Sequence, residues 1–148
     1  MNWDDIEPEF AARVVSAFDA HKHKTLATLR KDGAPRISGT EATFRDGAVW
    51  FGAMDGVKAR DLLRDPRFAM HSATVETTHD MVDAKIAGVA TAVDDAELRE
   101  SFGVTGDSHL FRAEVTELVL ISIDDGPPPL LVIESWHPSR GYERRTRD

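Results

Sequence analysis

Cysteine is absent from the chain, so disulfides and thiolate chemistry are both excluded. No apolar run approaches the roughly 18 residues that suggest a membrane-spanning helix. The N-terminus also lacks the basic-then-apolar layout of a secretory signal. Basic residues are in the minority: 18 Lys and Arg against 26 Asp and Glu give a net charge of −8. That balance argues against nucleic acid as the main partner, because phosphate backbones call for a basic face. It still leaves room for a local basic pocket around a small phosphorylated ligand. Internal repeats and low-complexity tracts do not stand out. The expectation is a soluble, cytoplasmic protein with neither nucleic-acid nor membrane partners.

What is present fits one domain spanning 1–148. Hydrophobic residues at 41% and charged residues at 30% are ordinary for a folded protein, and 148 residues suffice for a small core. The stretch 48–71 organises the rest. Val49, Trp50 and Phe51 read as a buried strand. Gly52-Ala53-Met54-Asp55-Gly56 breaks it, with glycines where backbone must turn or approach a ligand. Residues 58–64 read as a helix with Ala59, Leu62 and Leu63 on one face. Asp65-Pro66 ends it, since the residue before proline avoids the α region. Phe68, Met70 and His71 then resume an extended run. A helix start preceded by glycine and carrying Lys58 and Arg60 is a plausible anion cradle, against the plainer reading of a connector with solvated charges.

In chain order, residues 8–20 form a first helix, with Phe10, Val14, Ala17 and Phe18 at helical spacing, within an N-terminal segment 1–22. His21, Lys22, His23 and Lys24 suit the negative end of its dipole better than a metal site. Residues 25–29 and 35–44 read as strands joined at Lys31-Asp32-Gly33, and Arg45-Asp46-Gly47 turns into the strand at 48–52. These three strands form a meander. Residues 73–83 lose pattern, and Glu76, His79 and Asp80 read as an exposed loop rather than a metal cluster. Strand character returns at 84–93. A short capped helix follows at 94–99 and a turn at 103–107. The strand 110–123 breaks its alternation partway, as a strand bending at a barrel corner does. The last strand, 130–133, leads to Trp136, and 139–148 reads as a charged, partly mobile tail.

The ordered pieces Thr25-Leu26-Ala27-Thr28-Leu29, Lys31-Asp32-Gly33-Ala34-Pro35-Arg36-Ile37-Ser38, Val49-Trp50-Phe51-Gly52 and Val57-Lys58-Ala59-Arg60-Asp61-Leu62-Leu63-Arg64-Asp65-Pro66-Arg67 carry a likeness. Together they resemble the pyridoxamine 5′-phosphate oxidase-like family of flavin- and deazaflavin-binding proteins. The resemblance implies a mainly β fold, an antiparallel six-stranded split β-barrel with short α additions. It also implies a homodimer with two cofactor sites at the subunit interface, each built from both chains.

By the same resemblance, Lys58 falls on the phosphate-binding lysine, and Gly52 and Ala53 lie beside the phosphate or ribityl chain. Arg36, Ile37, Ser38 and Gly39 pass along the ring edge. Arg60 is a further cofactor candidate, with an ion pair to Asp61 or Asp65 as its alternative. Trp136 matches the aromatic that relatives bring from the second subunit, with a core or interface role as the alternative. Ser or Thr, common in flavin binders at the Gly52–Asp55 positions, is missing here. FMN and coenzyme F420 therefore both stay open.

The implied activity is a flavin- or F420-dependent oxidoreductase moving hydride between cofactor and a small organic substrate; no catalytic side chain is assigned. The alternatives are a non-catalytic flavin- or F420-binding barrel, and a haem-handling one using His71, His79 or His137 as ligand. Pyridoxamine-phosphate oxidation itself is not expected, because only Arg140, Arg144, Arg145 and Arg147 would supply a second phosphate site.

Overall fold

The computed structural model describes residues 7–75 and 82–148. Its first helix, α1 (Pro8–Asp19), begins with proline, which loses no hydrogen bond there. Phe10, Val14 and Phe18 recur at helical spacing and are buried against the sheet. Strands β1 (Lys24–Leu29) and β2 (Pro35–Thr40) form the expected hairpin. Gly33 at φ 86° makes its turn, and the Asp32 carboxylate accepts from the Ala34 amide. The second Asp-Gly turn, with Asp46 and Gly47 both at positive φ, joins β3 (Thr43–Arg45) to β4 (Ala48–Ala53). Helix α2 (Val57–Arg64), β5 (Arg67–His71), β6 (Val82–Val93), α3 (Ala96–Ser101), β7 (His109–Asp124), β8 (Leu130–His137) and β9 (Gly141–Arg147) complete the described elements.

All strand pairs are antiparallel, in the order β2-β1-β5-β6-β7-β4-β3. The long strand β7 divides the sheet. Along one edge it pairs with β6, while on the other its first half takes β4 and its second half β8. The sheet is an open, split β-barrel. Among the described residues it holds nine strand segments, within the expectation of six or more. The core inside combines α1 with Leu26, Phe51, Met70, Ile86, Phe111 and Leu118.

The bend foreseen in β7 is a bulge. Ala87 faces Glu117 and Gly88 faces Val115, so Thr116 is the extra residue. Burial runs on 111, 113 and 115, then resumes on 118 and 120. Gly88 permits this contact: a Cβ there would lie 1.9 Å from the Glu114 carbonyl oxygen.

Four expectations need correction. The single strand at 35–44 is two, interrupted at Glu41-Ala42. The three-strand meander does not form, because β2 pairs with β1 while β4 pairs with β3 and β7, at opposite ends of the sheet order. Leu63 is 54% exposed, and Asp61 is buried instead. The segment 139–148 is no loose tail: β9 pairs with β8 from Gly141 to Arg147, and Tyr142 sits edge-on to Phe10 at 5.3 Å. The grouping of Glu76, His79 and Asp80 lies outside the described residues.

Candidate functional site

The two ends of the sheet face each other. β2 and β4 approach without sharing a ladder, and the chain crosses between them at Glu41-Ala42. In this gap lies a crevice of about 630 Å³, within the roughly 300–1,000 Å³ common for small-molecule sites. Gly39, Thr40 and Glu41 form one rim, and Phe51 to Gly56 the other. Phe102, Val104 and Ser108, from the end of α3 and the turn after it, close the far side.

At one end of the crevice α2 begins. Gly56 caps it without a side-chain hydrogen bond, which leaves first-turn amides available to an anion. Lys58 reaches across the gap, its Nζ donating to the Gly39 carbonyl at 3.1 Å. Partial burial pushes its ammonium below the ordinary lysine pKa, and no carboxylate pairs with it among the described residues. Gly52 keeps the wall thin, since a Cβ there would already touch Val104 Cγ2 at 3.4 Å.

Opposite, Trp50 stacks on Phe102 at 4.8 Å with 22° between the rings. The indole Nε1 donates to the Arg45 carbonyl at 3.0 Å. The Arg45 guanidinium lies 4.6 Å from the Phe102 ring and donates to Ser101 Oγ. These contacts hold α3 and its turn against β4. Polar groups on the rims are His23, Glu41, Thr43, Asp55 and Ser108, with Asp55 3.6 Å from His109 Nε2.

Behind the crevice, Asp61 is the buried joint between α2, β1 and β2. Its carboxylate accepts from Arg36 Nε at 2.6 Å, Thr28 Oγ1 at 2.8 Å and Arg64 Nη2 at 3.0 Å. Burial would raise its pKa. The bonds from Arg36, Thr28 and Arg64 outweigh that and hold it below the ordinary aspartate value.

The structure brings Gly39, Gly52, Ala53 and Lys58 together on the crevice and leaves the other sequence-derived positions off its lining. Arg36 is held by Asp61. Ile37 is 75% exposed, and Ser38 sits beside it on β2, half-buried. Arg60 is exposed, with neither Asp61 nor Asp65 as partner; those carboxylates are taken by Arg36, Arg64 and Arg67. Trp136 packs on the main core of its own chain, opposite Leu118 and Tyr142. His71 and His137 lie off the lining, their ring nitrogens against the Ser72 carbonyl and Ser139. Sequence reasoning missed Phe102, Val104 and Ser108, because the turn after α3 gives no sign of which strand it will face.

A split antiparallel barrel with a glycine-walled crevice at its opening, and Lys58 at the helix start on one end of it, defines a ligand-binding class. A family model for Pyridoxamine 5′-phosphate oxidase matches residues 10–134, and the chain belongs to that family. Curated proteins give no match. Among solved structures, the chain is similar to a pyridoxamine 5′-phosphate oxidase-related, FMN-binding protein from Nostoc punctiforme, with 11% identity, 96% of each chain covered and a TM-score of 0.66. It is similar also to PhzG from Burkholderia lata, solved in complex with tetrahydrophenazine-1-carboxylic acid, with 14% identity over 99% of this chain and 95% of that one and a TM-score of 0.67. An F420 reductase aligns at 17% identity over 70% of this chain and 93% of that one, with a TM-score of 0.55. At such identities the likeness shows the fold.

Proposed function

We propose that the crevice holds a flavin-type cofactor, FMN or the deazaflavin F420, and that the protein is an oxidoreductase acting on a small organic substrate. The observation that carries this reading is Lys58, a half-buried ammonium without a carboxylate, set at the uncapped start of α2. A phosphate there would satisfy the lysine and the first-turn amides together. The residues present fit such a group: Gly39 and Gly52 leave room, and Phe51, Phe102, Val104 and Leu110 give a ring an apolar wall. The bound cofactor would supply the hydride chemistry. This chain's part is to anchor the anionic end, hold the ring and keep water from its face. Met54 and Val57, 82% and 53% exposed at the crevice mouth, fit cover by a second copy of the chain; Trp136 of that copy is the proposed ring neighbour.

The test is a titration of purified, cofactor-stripped protein with FMN and F420 in parallel, followed by turnover assays of the reduced complex with organic acceptors. Binding of one cofactor with turnover supports the oxidoreductase, and binding without turnover leaves a carrier. Binding of neither removes the reading.

A further inference from the structure

We propose that a second copy of this chain docks face to face on the outer surface of β6, β7, β8 and β9, around Ile121 and Ile133. Past the bulge at Thr116, β7 buries Leu118 and Leu120 in the core. Alternation then turns Val119, Ile121 and Ile123 to the opposite face. Register sets Ile133 beside Ile121 and Leu131 beside Ile123 on that face. These five side chains are half-buried, on a surface where an antiparallel sheet in contact with water carries polar groups. The helices are spent elsewhere: α1 and α2 pack into the main core, and α3 lies over Trp50 and Leu110, ahead of the bulge.

Charge says what covers the face. One row across the four strands reads Asp83, Ile121, Ile133, Arg145, and the next reads Lys85, Val119, Ser135, Glu143. Each row carries opposite signs at its two ends, and the order of signs reverses between the rows. A two-fold axis parallel to the strands, midway between β7 and β8, exchanges the ends of both rows. Ile121 then meets Ile133 of the second copy, Asp83 meets Arg145, and Lys85 meets Glu143. Each contact is made twice, as a self-complementary interface requires. Within one chain Asp83 and Arg145 stand three strands apart, about 14 Å at the usual strand spacing, too far to pair. Asp83 Oδ1 is buried without a hydrogen-bond partner among the described residues, a state that calls for a donor. Arg145 holds Glu143 on its own strand at 3.1 Å, largely in solvent, a weak pairing that leaves it free to reach across.

The interface needs no cofactor, so light scattering and native mass spectrometry are run on the full chain alone. The parent should be a dimer. Ile121→Glu should weaken it about tenfold or more, because it sets carboxylates at the centre of the contact. Asp83→Lys puts a lysine against Arg145 of the other copy, and Arg145→Glu puts a glutamate against Asp83, so each alone should weaken the dimer. Mixed in equal amounts, these two variants should form the heterodimer in preference to either homodimer, because both charge pairs are then restored. Urea unfolding shows that each variant is folded; should Ile121→Glu fail to fold, the mixture decides. A monomeric parent overturns the proposal. So does a folded Ile121→Glu that dimerises as tightly as the parent, or a mixture no richer in heterodimer than random exchange makes it. If Met54→Glu with Leu63→Glu splits the dimer and Ile121→Glu does not, the copies meet at the crevice mouth alone; this inference then falls and the cofactor reading stands.

Discussion

Lys58 Nζ and the Gly39 carbonyl meet at 3.1 Å across the one place where β2 and β4 approach without a ladder. The bond spans the split of the barrel and aims a positive charge along the crevice. Replacing Lys58 with alanine should weaken cofactor binding by about 1–3 kcal/mol, the scale of a hydrogen bond to a charged group. Thermal stability should change little, because the lysine anchors no core. Fluorescence titration of FMN or F420 against both proteins reads this directly, and an unchanged dissociation constant would remove Lys58 from the anion site.

The mouth of the crevice makes a different demand. Met54 and Val57 on its lining are more than half exposed, as are Ile37 on β2 and Leu63 on α2 away from it, and exposed apolar groups favour cover by another surface. Light scattering at micromolar concentration should give twice the 16.4 kDa chain mass. Met54→Glu combined with Leu63→Glu should shift the population to monomer and lower cofactor affinity in parallel. A monomeric parent protein would leave the crevice to one chain and exclude Trp136 of a partner from it.

Local chemistry made much of this chain legible. Asp32-Gly33 and Asp46-Gly47 announce their hairpins because few residue pairs accept positive φ so readily. Asp65-Pro66 marks the end of α2, and Phe10, Val14 and Phe18 mark its predecessor's buried face. Long-range pairing was not legible. β4 lies against β7, some 60 residues on, and that pairing brings Phe102 and Val104 to the crevice. Asp61 shows the limit most clearly: in the sequence it is one more charge on a helix, yet three donors from Thr28, Arg36 and Arg64 make burial tolerable. Leu63, which the sequence places on the buried face, is exposed. Of the crevice lining, Lys58 was legible from the glycine before its helix and Gly39 and Gly52 came from the resemblance, while Arg36 and Arg60 stand off the lining because charge alone does not say which way an arginine turns.

Gly88 gives a stability test away from the crevice. A methyl group there would press on the Glu114 carbonyl at 1.9 Å and on Val115 Cα at 3.0 Å, both of them backbone that cannot swing aside. Gly88→Ala should cost at least the roughly 1–3 kcal/mol of an overpacked core, even though alanine normally favours strand order over glycine. Urea unfolding measures it, and a neutral result would mean that the bulge at Thr116 relaxes.

Asp61 couples the fold to pH. Its carboxylate is held below the ordinary aspartate value in the folded protein by Arg36, Thr28 and Arg64, against the upward push of burial. The unfolded chain therefore binds the proton more readily. The stabilisation from this group is in full force above the unfolded aspartate pKa of about 4. It is lost as pH falls through the lower folded value. Asp61→Ala leaves Arg36 and Arg64 facing an empty joint and should cost about 3–5 kcal/mol near neutral pH, the scale for breaking a buried pair. Asp61→Asn keeps the shape and loses the charge, so it should be milder at neutral pH and flatten the acid limb of the stability profile. Urea unfolding of the parent and both variants from pH 7 down to pH 3 checks the sign. An Asn variant with the parent's acid slope would place the titrating group elsewhere.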